Sequence, residues 1–259
     1  MVENNLSSVS ITSNLGTHII GQKVIYYPRL TSTMAVAKQE AQLGAVEGTV
    51  VIADEQTVGR GRINRVWLSP RGNIALSVIL YPRAAALPSL IMLASLAVVH
   101  GIETVTGLRS QIKWPNDVLI NGKKVCGILI ETSVRGKMVD YAIIGIGINV
   151  NLRLSDFPEI QSIATSLSDE LGRDVSRLGL VRRLLIEIEE LYLALRVDGP
   201  IYEEWRDSLV TLGKTVRVKS GKAIYEGVAE SVDRDGSLLL RHPSGNLSKI
   251  IAGDATLRD

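Results

Sequence analysis

The strongest constraint on the fold of this chain is an Asn-Gly pair, Asn121-Gly122, that lies between two runs of strand-forming residues. Residues 118–120 are Val, Leu and Ile, and residues 124–131 are again mostly apolar. An Asn-Gly pair fits the two-residue turn with positive φ that joins antiparallel strands. The sequence therefore predicts an antiparallel hairpin and a sheet that contains it.

Other apolar runs predict further strands of the same sheet, at residues 24–27, 49–53, 73–81 and 141–150. Residues with helical propensity or helical spacing of apolar side chains predict helices at 34–41, 88–106, 177–195 and 200–205. A Ser or Thr ahead of residue 34 is a natural N-cap, and Gly44 ends that helix. Strands and helices alternate along the chain, so the fold class is α/β (α+β) with a mixed sheet.

The pattern changes after Leu212. Short β-type runs follow, separated by Ser220-Gly221, Asp235-Gly236 and Ser244-Gly245, and such spacing predicts a small barrel of hairpins. We therefore predict two domains, 1–212 and 213–259. The 23 residues before the first strand are too few for a separate domain, which usually needs about 50 residues, so no helix-turn-helix is expected at the front.

Composition narrows the functional class. The chain has 259 residues, is 46% hydrophobic and carries 29 basic against 27 acidic side chains; it has no block of like charges, so neither nucleic acid nor an anionic membrane is expected as a partner. The single cysteine, Cys126, fits a reducing compartment, and we expect a cytoplasmic protein. Residues 1–17 do not have the pattern of a signal peptide, and the longest apolar run, 87–99, is too short to span a bilayer.

Residues 59–67 read Gly-Arg-Gly-Arg-Ile-Asn-Arg-Val-Trp and follow a buried-type strand directly. Glycines let a backbone approach a ligand closely, and guanidinium groups bind phosphate or carboxylate oxygens in pairs. A solvated polar turn is the alternative. The density of Arg, Gly and Trp between two buried-type strands favours a mobile anion clamp.

Residues 113–117 read Lys-Trp-Pro-Asn-Asp, which alone would predict an ordinary turn. Together with the arginine loop, in this order and at this spacing, the run resembles biotin protein ligases, and the resemblance extends from about Val24 to the C-terminus. Further matching segments are Thr31-Ser32-Thr33-Met34, Gln56, 124–131, 145–150 and 165–167. Met34 departs from the family, in which many members have Asn.

The resemblance implies a catalytic domain of the biotin/lipoate ligase type with an SH3-like C-terminal β-barrel. It also implies that ATP and Mg²⁺ are used to convert biotin to biotinyl-5′-AMP, and that biotin is transferred to a lysine of a biotin carboxyl carrier domain by a monomer or homodimer. The catalytic residues implied are Lys124 and Arg62. Strand alternation cannot choose between Lys123 and Lys124, and the resemblance selects Lys124. The implied biotin-binding residues are Ser32, Thr33, Met34, Gln56, Arg60, Gly61, Arg62, Lys124 and Gly127. The implied ATP-binding residues are Arg60, Arg62, Arg65, Trp67, Asn116, Asp117 and Asn149, with Asp117 also a metal ligand.

Three other functions are considered. A lipoate or octanoate ligase would share the fold and would need a longer apolar channel. A biotin-sensing transcription factor would need a front DNA-binding domain. A biotin-binding regulator without transfer would not need Lys124 and the arginines. Gly145-Ile146-Gly147 lacks the third glycine and the helix of a dinucleotide site, and His18, His100 and His242 lack metal-ligand spacing.

Overall fold

A seven-stranded mixed sheet forms the larger part of the computed structural model, which describes residues 5–197 and 199–258. Only the first two strands pair in parallel, and the other neighbours are antiparallel. In chain order the strands are β1 (Val24–Tyr27), β2 (Val50–Ala53), β3 (Ile74–Leu80), β4 (Gln111–Lys113), β5 (Asp117–Ile120), β6 (Lys123–Arg135) and β7 (Met138–Ile148). Their order in the sheet is β1-β2-β3-β7-β6-β5-β4. The prediction of one mixed sheet is confirmed.

The predicted hairpin is also confirmed. Asn121 and Gly122 both have positive φ, 50° and 77°, and join β5 to β6. The second strand is longer than expected because β6 continues to Arg135 beside β7. Residue 117 belongs to β5, so Asp117 is fixed by strand hydrogen bonds rather than by a turn.

The helices are α1 (Ser8–Thr12), α2 (Thr33–Gln42), α3 (Leu90–Thr106), α4 (Leu167–Leu171), α5 (Arg177–Leu195) and α6 (Ile201–Asp207). The predicted bounds of α5 are confirmed, with Ser176 accepting the capping hydrogen bond from the Gly179 N–H. Helix α3 begins two residues later than predicted because Pro88 lies in a preceding 3₁₀ turn. The short α1, α4 and β4 were not predicted, since so few residues show no periodicity.

Helices cover the two faces of the large sheet unequally. Helices α3 and α5 pack together over one face, and their apolar side chains form the main core with those of the strands. On the other face, α2 covers only the part that includes Ile79, Tyr141 and Ile143. The rest of that face is where the candidate site lies.

The C-terminal part is a five-stranded antiparallel sheet. Its strands are β8 (Thr215–Ser220), β9 (Ala223–Val232), β10 (Leu238–Arg241), β11 (Leu247–Ile250) and β12 (Asp254–Arg258), in the order β11-β10-β9-β8-β12. The predicted glycines at 221, 236 and 245 all have positive φ in the connecting turns. Its buried face shares a core with Met92 and Leu96 of α3 and with Trp114. The domain boundary near Leu212 stays a prediction.

One helical stretch in the described part of the chain, Ala84–Thr106, is long and apolar enough to cross a membrane by length and composition alone. More than half of its most apolar window, 56%, is buried inside the protein. Its α3 portion packs on α5 and on strands of the large sheet. A helix in the core of a soluble protein can be equally long and apolar, and it is buried in the same way.

Glu189 of α5 attaches the N-terminal segment to the body of the protein. Its buried carboxylate accepts backbone hydrogen bonds from His18 at 2.6 Å, Ile19 at 2.7 Å and Ile20 at 2.8 Å. We expect Glu189→Gln to lower the free energy of unfolding by about 2–3 kcal/mol, because an amide places N–H donors against buried N–H groups. Denaturant unfolding checks this. The exposed Glu190→Gln is the matched control, and an equal effect of the two substitutions would contradict the anchoring role.

Candidate active site

A cavity opens on the uncovered part of the sheet, between the first turn of α2, the arginine loop and the start of β12. The empty space inside it, with open solvent at the mouth included, is about 810 Å³. Apart from Asn149, every residue that the sequence assigned to the site lines this cavity. They are Ser32, Thr33, Met34, Gln56, Arg60, Gly61, Arg62, Arg65, Trp67, Asn116, Asp117, Lys124 and Gly127.

Glycines of two neighbouring strands make room in the middle of the cavity. Gly127 of β6 pairs with Gly147 of β7, and the Trp67 indole lies directly on both. A β-carbon at Gly147 would lie 2.4 Å from Trp67 Nε1, and one at Gly127 would lie 3.0 Å from its Cζ3. Within the described part of the chain, the buried indole N–H has no hydrogen-bond partner. The indole therefore packs against the sheet backbone and forms an apolar wall in the middle of the cavity, and we call the ligand space beside this wall the Trp67 slot.

Uncharged polar groups collect at one end of the cavity, which we call the ring end. The Thr33 N–H and hydroxyl both donate to Gln56 Oε1, at 2.8 and 3.1 Å, and the Ser77 hydroxyl donates to Thr33 Oγ1 at 2.8 Å. The Ser32 hydroxyl is buried and has no hydrogen-bond partner among the residues that the structure describes. An unpaired buried hydroxyl costs stability unless a ligand satisfies it, so this end suits a ligand that carries both N–H and carbonyl groups.

Charged groups collect beyond Trp67, at what we call the acid end. Lys124 Nζ lies 2.5 Å from Asp117 Oδ1 and 5.4 Å from the centroid of the Trp67 ring. Lys113 Nζ lies 3.6 Å from the other carboxylate oxygen. The Arg62 guanidinium donates to Asn116 Oδ1 at 2.9 Å, and burial lowers its pKa. More cations than anions face this end, which therefore attracts anionic ligands.

Residues 59–67, which we call the arginine flap, form a narrow hairpin-like strap. The Trp67 N–H donates to the Gly59 carbonyl at 2.9 Å, and the Gly61 N–H donates to the Arg65 carbonyl at 2.8 Å. At its tip, Ile63 has a φ of 54° and is 66% exposed. A β-branched residue is strained there, by roughly 1–2 kcal/mol. An exposed, strained tip is expected to open more easily than the sheet beneath it.

One charged residue of the cavity lining was not predicted. Asp254, the first residue of β12, lines the cavity and forms an ion pair with Arg65 of the arginine flap. The two positions are 189 residues apart in the chain, and Asp254 follows an ordinary Gly. No local signal in the sequence distinguishes it.

Asn149 lies next to the cavity rather than in it. It is 4% exposed, and its side-chain amide donates to the Thr165 carbonyl at 3.0 Å. It lines an adjoining groove that Trp67, Asp117 and Lys124 also border. Its assignment to ATP stays a prediction, and its visible contact joins the end of β7 to the segment before α4.

The donor set does not fit a metal ion held by protein side chains alone. Among residues 5–197 and 199–258, no group of three or more histidine, cysteine, aspartate or glutamate side chains is arranged to hold one. Asp117, the predicted ligand, faces Lys124 and Lys113 with its two oxygens. Cys126 is fully buried, and burial raises the pKa of its thiol, so it offers no thiolate.

Comparison with known proteins agrees with this geometry. Residues 26–149 match the Biotin/lipoate A/B protein ligase family, and residues 211–258 match the Biotin protein ligase C terminal domain. The chain is 42% identical to the bifunctional ligase/repressor BirA of Bacillus subtilis over 258 residues, which cover 97% of this chain and 79% of the relative. The chain belongs to the biotin protein ligase family.

Other members show the same relation over nearly their whole length. The biotin–[acetyl-CoA-carboxylase] ligase of Paracoccus denitrificans is 35% identical, with 84% of this chain and 93% of the relative covered. The structure of the Aquifex aeolicus biotin protein ligase in complex with biotin and ATP is 31% identical, with a TM-score of 0.79 over 92% of this chain and 99% of that one. The protein is therefore a ligase enzyme that acts on biotin.

The contact between the Trp67 indole and Gly147 allows a direct test of the cavity. We expect Gly147→Ala to weaken biotin binding at least about 10-fold. The new methyl group would occupy the position of the Trp67 indole, and the indole would then move into the space that the ligand needs. Isothermal titration calorimetry checks this. Gly101→Ala in α3 is the matched control, since its β-carbon has no neighbour closer than 3.8 Å, and equal affinities for the two variants would contradict the arrangement.

Proposed function

We propose that the protein activates biotin with ATP as biotinyl-5′-AMP and then transfers the biotinyl group to a lysine of a biotin carboxyl carrier domain. The observation that carries the proposal is the order of groups along one cavity. Neutral hydrogen-bonding groups lie at the ring end, the Trp67 slot lies in the middle, and Lys124 with Arg62 lies at the acid end. Biotin has the same order, with a ureido ring, an aliphatic chain and a carboxylate.

In the first step, a carboxylate oxygen of biotin attacks the α-phosphorus of ATP, and the bond to the β-phosphate oxygen breaks to release pyrophosphate. Two unit negative charges about 4 Å apart repel by roughly 4 kcal/mol at an effective dielectric near 20. Lys124 is placed to reduce this repulsion, because its ammonium group borders both the cavity and the adjoining groove. Electrostatic stabilisation by such preplaced cations is often the largest catalytic term.

Asp117 keeps that ammonium group in position before the substrates bind. The carboxylate is buried in β5 and holds Lys124 Nζ at 2.5 Å. Mg²⁺ is proposed only as the companion of ATP, since Mg²⁺ commonly enters enzyme sites bound to substrate phosphates and one or two carboxylates. No step is assigned to a metal ion held by this chain.

In the second step, the neutral ε-amine of the carrier lysine attacks the carbonyl carbon of the mixed anhydride. AMP leaves, the nitrogen loses a proton, and an amide forms. The intermediate is destroyed by water, so the arginine flap has to cover it between the two steps. The relatives named as biotin–[acetyl-CoA-carboxylase] ligases support a carboxylase carrier domain as the partner. A cytoplasmic location stays a proposal, which rests on the single cysteine of the sequence.

Lipoate or octanoate ligation is the alternative within the fold, because the matched family covers both biotin and lipoate ligases. The polar groups of the ring end disfavour lipoate or octanoate as the substrate. The buried Ser32 hydroxyl has no hydrogen-bond partner among the described residues, and an alkyl chain or a dithiolane ring would leave it unpaired. The expected absence of nucleic-acid binding stays a prediction.

A single-turnover reaction without carrier tests the activation step. With α-labelled ATP, Mg²⁺ and biotin, we expect stoichiometric formation of a labelled biotinyl-adenylate, which hydroxylamine converts to biotin hydroxamate and AMP. Octanoate and lipoate, run in parallel, are expected to give no adenylate. If octanoate or lipoate but not biotin forms the adenylate, the protein is a lipoate or octanoate ligase and the proposed activation of biotin is wrong.

A further inference from the structure

The wall that closes the ring end is Met34. This side chain belongs to the first turn of α2, is 6% exposed and lines the cavity. Its sulfur lies directly on Gly145 of β7, because a β-carbon at Gly145 would be 2.5 Å from Sδ and 3.0 Å from Cγ. Met34 therefore fills the space that Gly145 leaves open on the sheet.

The same sheet face continues on the far side of Met34. Side chains of one strand point to the same face at every second residue, so Gly147, Gly145 and Ile143 follow one another along β7. Gly147 contacts the Trp67 indole, whereas Ile143 is fully buried in the cluster beneath α2. Met34 belongs to that cluster and to the cavity lining. It is the divider between ligand space and protein core.

We propose that Met34 is a specificity-determining residue, which sets the length of the acid that the cavity accepts by closing its ring end against Gly145. The inference rests on the proposed function, in which the carboxylate is held near Lys124 at the acid end. With that end held, each additional methylene pushes the ring towards Met34. The neighbouring hydrogen-bonding groups are fixed by Gln56 and Ser77 and cannot retreat with it.

Two substitutions test the divider from both sides. Met34→Ala removes the Cγ, Sδ and Cε atoms and opens the cavity towards Ile143. Adding Gly145→Ala to that variant places a methyl group close to the former position of the sulfur, so the double variant closes the cavity again. Met92→Ala is the matched control, because Met92 is a fully buried methionine of the other core.

The measurement is the dissociation constant for biotin and for homobiotin, the acid with one additional methylene in its side chain, by isothermal titration calorimetry. One misplaced methylene in a closed pocket typically changes binding about 10-fold or more. We expect the unmodified protein and Met92→Ala to prefer biotin by about 10-fold. We expect Met34→Ala to remove most of this preference, and the double variant to restore it.

The outcomes separate the inference from the proposed function. If the unmodified protein binds biotin and Met34→Ala changes both dissociation constants by the same factor, the inference is wrong and the proposed function stands. If the unmodified protein binds neither acid, the proposed function fails and the inference fails with it. Loss of the preference for biotin over homobiotin in Met34→Ala alone supports the divider, because general destabilisation would not change the ratio of the two dissociation constants.

Discussion

Replacing Lys124 by Ala should slow the formation of biotinyl-adenylate by about 10²–10³-fold, while the dissociation constant for biotin changes only a few-fold. The ammonium group lies between the cavity and the adjoining groove, where the carboxylate and α-phosphate approach each other. Binding of biotin depends mainly on the ring end and the Trp67 slot. Single-turnover adenylation and calorimetry measure the two quantities separately.

Lys123→Ala is the matched control for this prediction. Lys123 is the neighbouring residue of β6 and is exposed, and its ammonium group donates to the Gln161 carbonyl at 3.3 Å. Its removal should leave adenylation within about 2-fold, as is usual for surface changes. Adenylation at the normal rate in Lys124→Ala would exclude the proposed role of Lys124.

Replacing Arg62 by Gly should release the adenylate from the protein about 10–10²-fold faster than the parent does. The guanidinium anchors the arginine flap across the cavity through Asn116, at 2.9 Å, and also faces the phosphate. Without it, the flap loses an anchor and the intermediate loses a cation. Trapping by size-exclusion chromatography after one turnover measures how much adenylate stays bound.

Arg71→Gly is the control for the loss of positive charge. Arg71 is exposed, lies outside the cavity and is 3.8 Å from Glu55. Biotinylation of a bystander protein should rise with Arg62→Gly and stay at the parent level with Arg71→Gly. Equal retention of adenylate by the parent and by Arg62→Gly would show that the flap does not act as a lid.

Local sequence patterns predicted most of the fold because they report local physics. The apolar spacing and Ser176 define α5, and the Asn121-Gly122 pair defines the hairpin. The same patterns missed contacts that only the assembled chain creates. Glu189 anchors the N-terminal segment, and Asp254 reaches Arg65 from the C-terminal sheet, yet neither residue lies in a recognisable pattern.

The candidate site could be predicted for a different reason. Its residue types are unusual together, and their resemblance to a family assigned them to one place, where the structure brings all but Asn149. Roles that depend on geometry could not be predicted. The contacts of Asp117 with Lys124 and Lys113 were not predicted, and its assignment to a metal stays a prediction. Met34 was assigned to biotin, but its contact with Gly145 was not predicted.

The intact mass of a carrier domain shows whether the protein transfers biotin to it. The purified protein is incubated with ATP, Mg²⁺, a biotin-accepting carrier domain and either biotin or lipoate, with a carrier whose acceptor lysine is replaced as the control. We expect a shift by one biotinyl group that requires ATP and the acceptor lysine, and no shift with lipoate. A shift with lipoate alone, or no shift with either acid, would contradict the proposed function.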